Sequence, residues 1–490
     1  MATRRAGRGY GAAPRIVLRA ALLATLVSAL VVALLVLLAA GGCGRGRRGP
    51  NIVLVVLDTV RDDYCGIGGN QDQLTPYLDR LAAEGTQFTR TWSNAPWTVP
   101  SHASFFTGLL PSQHGCTSQR IRFQHPDPTV AELLRDAGYR TGAFFSNPWL
   151  HQRATGLLRG FTVQQETKLP DLFGGDSWDQ GGQRISADVA RWLDQDAGAG
   201  EQPFFLFVNF LEAHLPYCPP EDYRRRRLAD LPLDDMITVE WGHEFNAGLI
   251  PADQVDWDRV RRLYGGDVNT ADRLLAGLIG ILRERGLYED TVLIVTSDHG
   301  ENLGEHGLVE HQFGLQETLL RVPLVIRAPA LLAPGRRDDP VMLTDLYATI
   351  LGCAGVAEHP ERPSSRSLLL PAAEPGRPMV AEYAGPLPRM LEMLRTKNPD
   401  LDRARLGRSF RSVRLGDLRL TVGSDESFVL HDLAADPAQL TDLAAERPQV
   451  VDDLSRLLRA LSRPILPGAT TGTDMDEDLK ARLRSLGYVH

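Results

Sequence analysis

Four short aliphatic runs, each handing the chain to a polar side chain, constrain the fold of this 490-residue sequence more than any other feature. Asn51 to Leu57 (NIVLVVL) ends at Asp58, and Gly142 to Phe145 ends at Ser146 and Asn147. Phe204 to Phe210 leads to His214, and Thr291 to Thr296 leads to Asp298 and His299. Continuous apolar runs of this length read as strands buried on both faces, and amphipathic helical stretches lie between them. The alternation predicts an α/β fold: a central, mixed but mostly parallel sheet flanked by helices. Ligands of such sheets gather at the carboxyl ends of the strands, so the four polar ends predict one functional rim.

Helices are expected over Pro76 to Glu84, with Thr75 as cap and Gly85 as stop, and over Val268 to Arg285. Beyond Pro363 the pattern changes to β-like pieces, Ser412 to Val422 and Ser427 to Leu433, followed by a helix near Val450 to Leu461. The expected organisation is a catalytic domain over 50–362 and a smaller C-terminal α+β subdomain and tail over 363–490.

The first 43 residues differ from the rest. Arg4, Arg5, Arg8, Arg15 and Arg19 precede an uncharged run from Ala20 to Ala40, which ends at Gly41, Gly42 and Cys43. The run reaches the roughly 20 residues that span a bilayer, and the preceding arginines predict an N-in orientation. Cys43 after small residues fits a lipoprotein cleavage site, while Arg45, Arg47 and Arg48 fit a retained single span. Either form leaves the remainder extracytoplasmic and membrane-anchored, at the periplasmic or cell surface. The net charge of −8 argues against a nucleic-acid partner. The five cysteines contain no CxxC pair, which removes redox-motif and zinc-ribbon readings.

Asp58 and Asp298–His299 stand directly after apparently buried strands, where a carboxylate needs a cation or hydrogen bonds. Together they form a candidate site for one divalent ion. Carboxylates alone favour calcium, whereas a histidine ligand moves the preference towards zinc or manganese. Thr98 precedes Pro100, a residue suited to a first helical turn, so its hydroxyl is placed near a helix N-terminus that attracts anions. Beside a divalent ion such a hydroxyl is a competent nucleophile on phosphorus or sulfur; a capping threonine in a loop is the alternative.

TVPSHASFFTG (residues 98–108) resembles the nucleophile motif of the sulfatases, in the alkaline phosphatase superfamily. LDTVR, LEAHLPY, TSDHGENLGEHG, ETLLRVPLVI and LHDLAADPAQLTDLA match further landmarks in the family's order, over residues 50–490. The resemblance implies an alkaline-phosphatase-like sheet and a calcium site at Asp58, Asp298, His299 and Thr98, with Thr98 also the nucleophile. It also implies that His214 and His311 contact the transferred group or protonate the leaving oxygen. Arg61 and His102 are implied candidates for charge stabilisation or orientation, and Glu305 and His306 for bracing the loop.

Three departures bear on the chemistry. Sulfatases convert the motif cysteine or serine to formylglycine, and Thr98, with a methyl group on Cβ, cannot yield that aldehyde. Thr59 replaces a second carboxylate while His299 stands in place of asparagine, and His102 replaces the supporting arginine. The changes resemble the related phosphoesterases and phosphoethanolamine transferases, where an unmodified threonine attacks phosphorus. The expectation is a metal-dependent hydrolase of sulfate or phosphate esters, small-molecule or glycan, working by ping-pong transfer through Thr98. An envelope phosphotransferase and a catalytically inert scaffold are the other readings. The transferases usually carry several spans, and one apolar run here favours hydrolysis. Residues Glu221 to Asp258 read as an insertion bordering the site.

Overall fold

The computed structural model describes residues 49–168, 180–195, 202–358, 362–373, 376–464 and 477–486. The expected N-terminal signal or anchor lies outside the described residues. Among those described, no helix is long and apolar enough to cross a membrane.

Strand β1 (Asn51–Leu57) is the centre of an eight-stranded sheet because all but its first residue are fully buried. The sheet is completed by β2 (Thr86–Phe88), β3 (Arg140–Phe145), β4 (Val163–Glu166), β5 (Phe204–Phe210), β6 (Thr291–Thr296), β7 (Leu324–Arg327) and β8 (Gly335–Arg337). Their spatial order is β8-β2-β7-β6-β1-β5-β3-β4. β1 runs parallel to β5 and β6, β3 lies parallel between β5 and β4, and β7 is antiparallel to both β6 and β2. In register, Val56 faces Asn209 on one side and Thr296 on the other, so the segments after β1 and β6 emerge together.

The two faces of β1 bury alternate residues, as the period of a strand requires. Ile52, Leu54 and Val56 join a cluster with Phe105, Phe106 and Phe207, while Val53, Val55 and Leu57 join another with Leu263, Leu275 and Leu278. The sheet is therefore sandwiched by helices, as its apolar runs demand.

Helix α1 (Pro76–Glu84) has the predicted bounds, but Thr75 makes no side-chain cap. Its free amides at Tyr77 and Leu78 instead donate to the Asp272 carboxylate, 3.0 and 2.8 Å away. Helix α2 (Thr98–Thr107) is buried at every residue; Pro100 lies in its first turn as expected, and Thr98 is its first residue rather than just ahead of it. The segment expected as an irregular insertion contains two helices, α3 (Glu221–Arg227) and α4 (Val239–Asn246). Helix α5 (Trp257–Glu284) begins eleven residues before the predicted Val268. Charged residues and the Gly265–Gly266 pair obscure the periodicity of its first half.

After these elements, β9 (Met379–Tyr383), β10 (Phe410–Leu415), β11 (Leu418–Gly423) and β12 (Phe428–Asp432) form an antiparallel sheet in sequence order. Helix α6 (Pro448–Leu461) covers it, and Leu454 and Leu458 bury against Val413, Leu420 and Leu430. The predicted strand over Ser412 to Val422 is a hairpin, turning at Gly416 with φ of 63°.

Candidate active site

Asp58, Asp298 and His299 come together at the carboxyl ends of β1 and β6, fully buried. Each offers a ligand atom within 4.8 Å of the others, and among the described residues no other trio of such ligands does so. Asp58 Oδ2 accepts from the side-chain amides of Asn209 (3.0 Å) and Asn147 (2.9 Å), and Asp298 Oδ1 from the Thr59 (3.3 Å) and His299 (3.1 Å) backbone amides. The His299 Nδ1 atom lies 2.9 Å from the Gly300 carbonyl, which can only accept, so Nδ1 carries a proton; Nε2 lies 3.3 Å from Asp298 Oδ2, which raises the pKa of the ring against its burial, and a cation there would take the place of the Nε2 proton.

Of the remaining atoms of the trio, Asp58 Oδ1 is buried without a protein hydrogen-bond partner, and Asp298 Oδ2 and His299 Nε2, 3.3 Å apart, face each other without a well-aligned hydrogen bond. Two carboxylate oxygens and an imidazole nitrogen, converging and unsatisfied, fit a divalent cation. Electrostatics agree. Burial and the neighbouring Asp298 push Asp58 up to about 7 against the pull of His299 and the two asparagine amides. Burial likewise opposes charge on Asp298, but His299 and His102 hold it below the usual carboxylate range.

The backbone around the trio is held by distant elements. Thr59 adopts a left-handed φ of 59°, a strained conformation for a β-branched residue. The Tyr264 hydroxyl of α5 secures it by donating to the Thr59 carbonyl (2.8 Å) and accepting from Arg61 N (3.0 Å). On the other strand, Gly300 N donates to Leu319 O, and a Cβ at Gly300 would lie 2.0 Å from the Thr318 carbonyl. Only glycine permits that close approach.

Thr98 sits at the N-terminus of α2 with its Oγ1 accepting from Asn147 Nδ2 at 3.3 Å. One asparagine amide therefore joins the nucleophile candidate to a carboxylate of the metal trio. Asn147 is fixed in turn by accepting from Trp149 N at 3.0 Å. Ser101 ties the same helical turn to the Asp298 carbonyl at 2.7 Å.

The remaining predicted residues divide into two groups. His214 and His311 reach the trio: the His311 ring is 4.5 Å from that of His299 and 5.0 Å from that of His214. Burial lowers both, His214 to about 4, so each imidazole is neutral until an anion arrives. His214 Nδ1 donates to Leu215 O at 2.8 Å, which fixes the orientation of the ring.

Arg61 and His102 do not supply charge to the rim. The Arg61 guanidinium is committed to both Asp63 oxygens, to Glu305 and to the Glu301 carbonyl. It braces loop 301–305, and Glu305, which also accepts from Leu303 N, shares that task. His306 reverses the same loop with a left-handed φ of 57°. His102 is packed by Phe105, Phe106 and Phe207, and burial lowers its pKa to about 4. Its Nδ1 donates to the Thr98 carbonyl (2.8 Å) and lies 3.5 Å from Asp298 Oδ2, so it orients the first turn of α2 as a neutral group.

Sequence reasoning gave no role to Asn209 or Tyr264, and it noted Asn147 only as a strand-end residue. Asn209 carried a usable signal as the lone polar side chain in FFLFVNF. Tyr264 carried none, since its partners are about 200 residues away in the chain.

A candidate cation site of two carboxylates and an imidazole, a hydroxyl at a helix N-terminus and two further imidazoles, set at the end of a mostly parallel sheet, fit the class of metal-dependent ester hydrolases with the alkaline-phosphatase-like fold. The sulfatase family model matches residues 50–356, and the chain belongs to that family. It is 25% identical over 481 residues to arylsulfatase K of Canis lupus familiaris, covering 86% of this chain and 85% of that one. To choline-sulfatase of Rhizobium meliloti it is 26% identical over 460 residues, covering 82% and 83%. Among solved structures, the phosphonate monoester hydrolase of Agrobacterium radiobacter superposes with a TM-score of 0.66 at 21% identity, covering 85% of this chain and 96% of that one.

Proposed function

We propose that this sulfatase-family enzyme cleaves phosphate or phosphonate esters, in preference to sulfate esters, through direct attack by Thr98. The observation that carries the reading is the unmodified hydroxyl at the helix N-terminus, hydrogen-bonded to Asn147 and bridged by that residue to Asp58. A threonine cannot supply the aldehyde hydrate on which formylglycine sulfatases depend, whereas its hydroxyl can attack phosphorus directly. The fold likeness to a phosphonate monoester hydrolase supports the same direction.

Asp58, Asp298 and His299 would hold the divalent cation beside Thr98. When bound there, such a cation supplies charge neutralisation and acidifies the adjacent hydroxyl. Two carboxylates and one imidazole suit manganese or zinc as well as the calcium that the family resemblance implies. The N-terminal end of α2 orients the ester oxygens; the Thr98 hydroxyl, held by the Asn147 amide, releases its proton to solvent, and its Oγ1 bonds to phosphorus as the bond from phosphorus to the leaving oxygen breaks. His214 and His311, drawn into their protonated forms by the anionic ester, give the leaving oxygen its proton at Nε2. Water then opens the threonine ester with the same imidazoles as bases.

The arginine-flanked run from Ala20 to Ala40 supports an extracytoplasmic, tethered enzyme. Recovery of the full chain in the soluble cytoplasmic fraction would overturn that part of the reading.

The deciding experiment compares hydrolysis of p-nitrophenyl sulfate, phosphate, phosphodiester and phosphonate esters with manganese, zinc or calcium added. Metal-dependent phosphoester or phosphonate cleavage that falls by at least about 10³-fold in Thr98→Ala is expected. Preferential sulfate cleavage, or an unaffected Thr98→Ala variant, would reject the assignment.

A further inference from the structure

Glu301 is a fully buried carboxyl two residues beyond His299, and the metal trio does not use it. Its Oε1 lies 3.3 Å from Nδ1 of His311, which is also buried. The Tyr217 hydroxyl lies against the same carboxyl. An ionised carboxylate placed in such an interior costs several kcal/mol, unless its partners repay the desolvation. Packing alone would be served by an apolar side chain of the same volume.

The backbone that carries His311 is fixed from both sides. Glu310 and Phe313 both adopt left-handed conformations, with φ of 67° and 71°. Asn246 of α4 pairs with the backbone of Val309, donating to its carbonyl and accepting from its amide, each at 3.1 Å. Gly242 of the same helix leaves room for the Glu310 carboxyl, which a Cβ there would meet at 2.7 Å. Strain of this kind persists where the surroundings over-determine a conformation. Here it fixes the imidazole at the trio, and only rotation of the ring and the choice of protonated nitrogen remain to be set. The group that a ring nitrogen bonds to makes that choice.

We propose that Glu301 is a positioning residue for His311: its Oε1 oxygen accepts a hydrogen bond from Nδ1–H, fixes that tautomer, and turns Nε2 towards the transferred group. The inference rests on the reading of His311 as the group that faces the ester. It parallels the carboxylates that orient imidazoles in triads and beside metal-bound histidines. Glu301 differs from Arg61 and Glu305 in acting on a proton-exchanging side chain, whereas they hold backbone.

The test uses full-length protein carrying ¹⁵N-labelled histidine rings, with the His311 signal assigned by its loss in His311→Gln. The wild type is expected to show Nδ1 protonated and Nε2 bare. Glu301→Gln, which keeps an acceptor oxygen, should preserve that pattern, and Glu301→Leu should shift His311 to the Nε2–H or a mixed form. An Nε2–H tautomer in the wild type, or an unchanged tautomer in Glu301→Leu, would overturn the proposal. Should the leucine variant fail to fold, the wild-type spectrum still decides.

On whichever ester the wild type cleaves, Glu301→Leu should lower kcat about tenfold or more, with KM changed less than about twofold. That decrement should vanish when His311→Gln is already present. Equal, additive losses in the two backgrounds would reject the role. A wild type inactive on every ester would reject the hydrolase assignment while the tautomer measurement still judged Glu301.

Discussion

Asn147 joins the two halves of the site with a single amide that donates to both Asp58 and Thr98. Loss of a donor that orients a metal-ligating carboxylate and the nucleophile lowers turnover by up to about 10²-fold, whereas loss of the Asn147 cap on the Trp149 amide costs about 1 kcal/mol of stability. Asn147→Ala should therefore be a folded protein with kcat down by up to about 10²-fold, and a thermal melt beside the kinetics separates the two effects. A second residue-scale expectation concerns acid. His114 accepts from Cys116 N on Nδ1 and contacts Ser104 through Nε2, and burial lowers its pKa to about 3. Between about 3 and the ordinary 6.5 the unfolded chain binds a proton that the folded chain does not, so stability falls as pH drops through that window. Denaturant titrations of His114→Gln should show a slope shallower by up to about 1.4 kcal/mol per pH unit, and an unchanged slope would place the acid sensitivity elsewhere. Asp58, Asp298 and His299 were legible in the sequence because each follows an apolar strand. For Arg61 and His102 the sequence left charge stabilisation and orientation both open, because the choice depends on Asp63, Glu305 and three phenylalanine rings whose directions no motif records.

Elements were legible where burial is continuous. β1, β5 and β6 have the bounds that their unbroken apolar runs predict, and α1 ends at Gly85 as read. The start of α1 shows what a local reading misses, since its cap comes from Asp272, 195 residues from Tyr77 in sequence. The first half of α5 was missed for a related reason: its face is shaped by what it holds, including the strained Thr59–Arg61 turn through Tyr264. Asp272→Ala leaves two amides at the start of α1 without an acceptor, that of Leu78 buried and that of Tyr77 partly so, an effect of about 1–3 kcal/mol. Urea unfolding should report that loss with kcat nearly unchanged, because neither α1 nor Asp272 touches the site. A comparable loss of kcat would mean that α1 transmits strain to β1.

At the scale of the molecule, the candidate cation site joins the ends of two parallel strands to the helix that carries Thr98. Asp58 follows β1, Asp298 and His299 follow β6, and Ser101 of α2 bonds to the Asp298 carbonyl. Without a cation, two buried carboxyls face each other, and their repulsion opposes closure of the strand ends. A ligand that binds only the folded state stabilises it by about 2.7 kcal/mol at 100 times its dissociation constant. Chelation should therefore lower the thermal midpoint as well as abolish hydrolysis, and restored ion should recover both over the same concentration range. Asp298→Asn should lose the ion-dependent rise in midpoint altogether. It removes one of the two facing charges, so its midpoint without ion should equal or exceed that of the chelated wild type. Calorimetric scans of the two proteins with and without ion would reveal this crossing, and a variant less stable than the chelated wild type would mean that the carboxylates are held by hydrogen bonds rather than awaiting a cation.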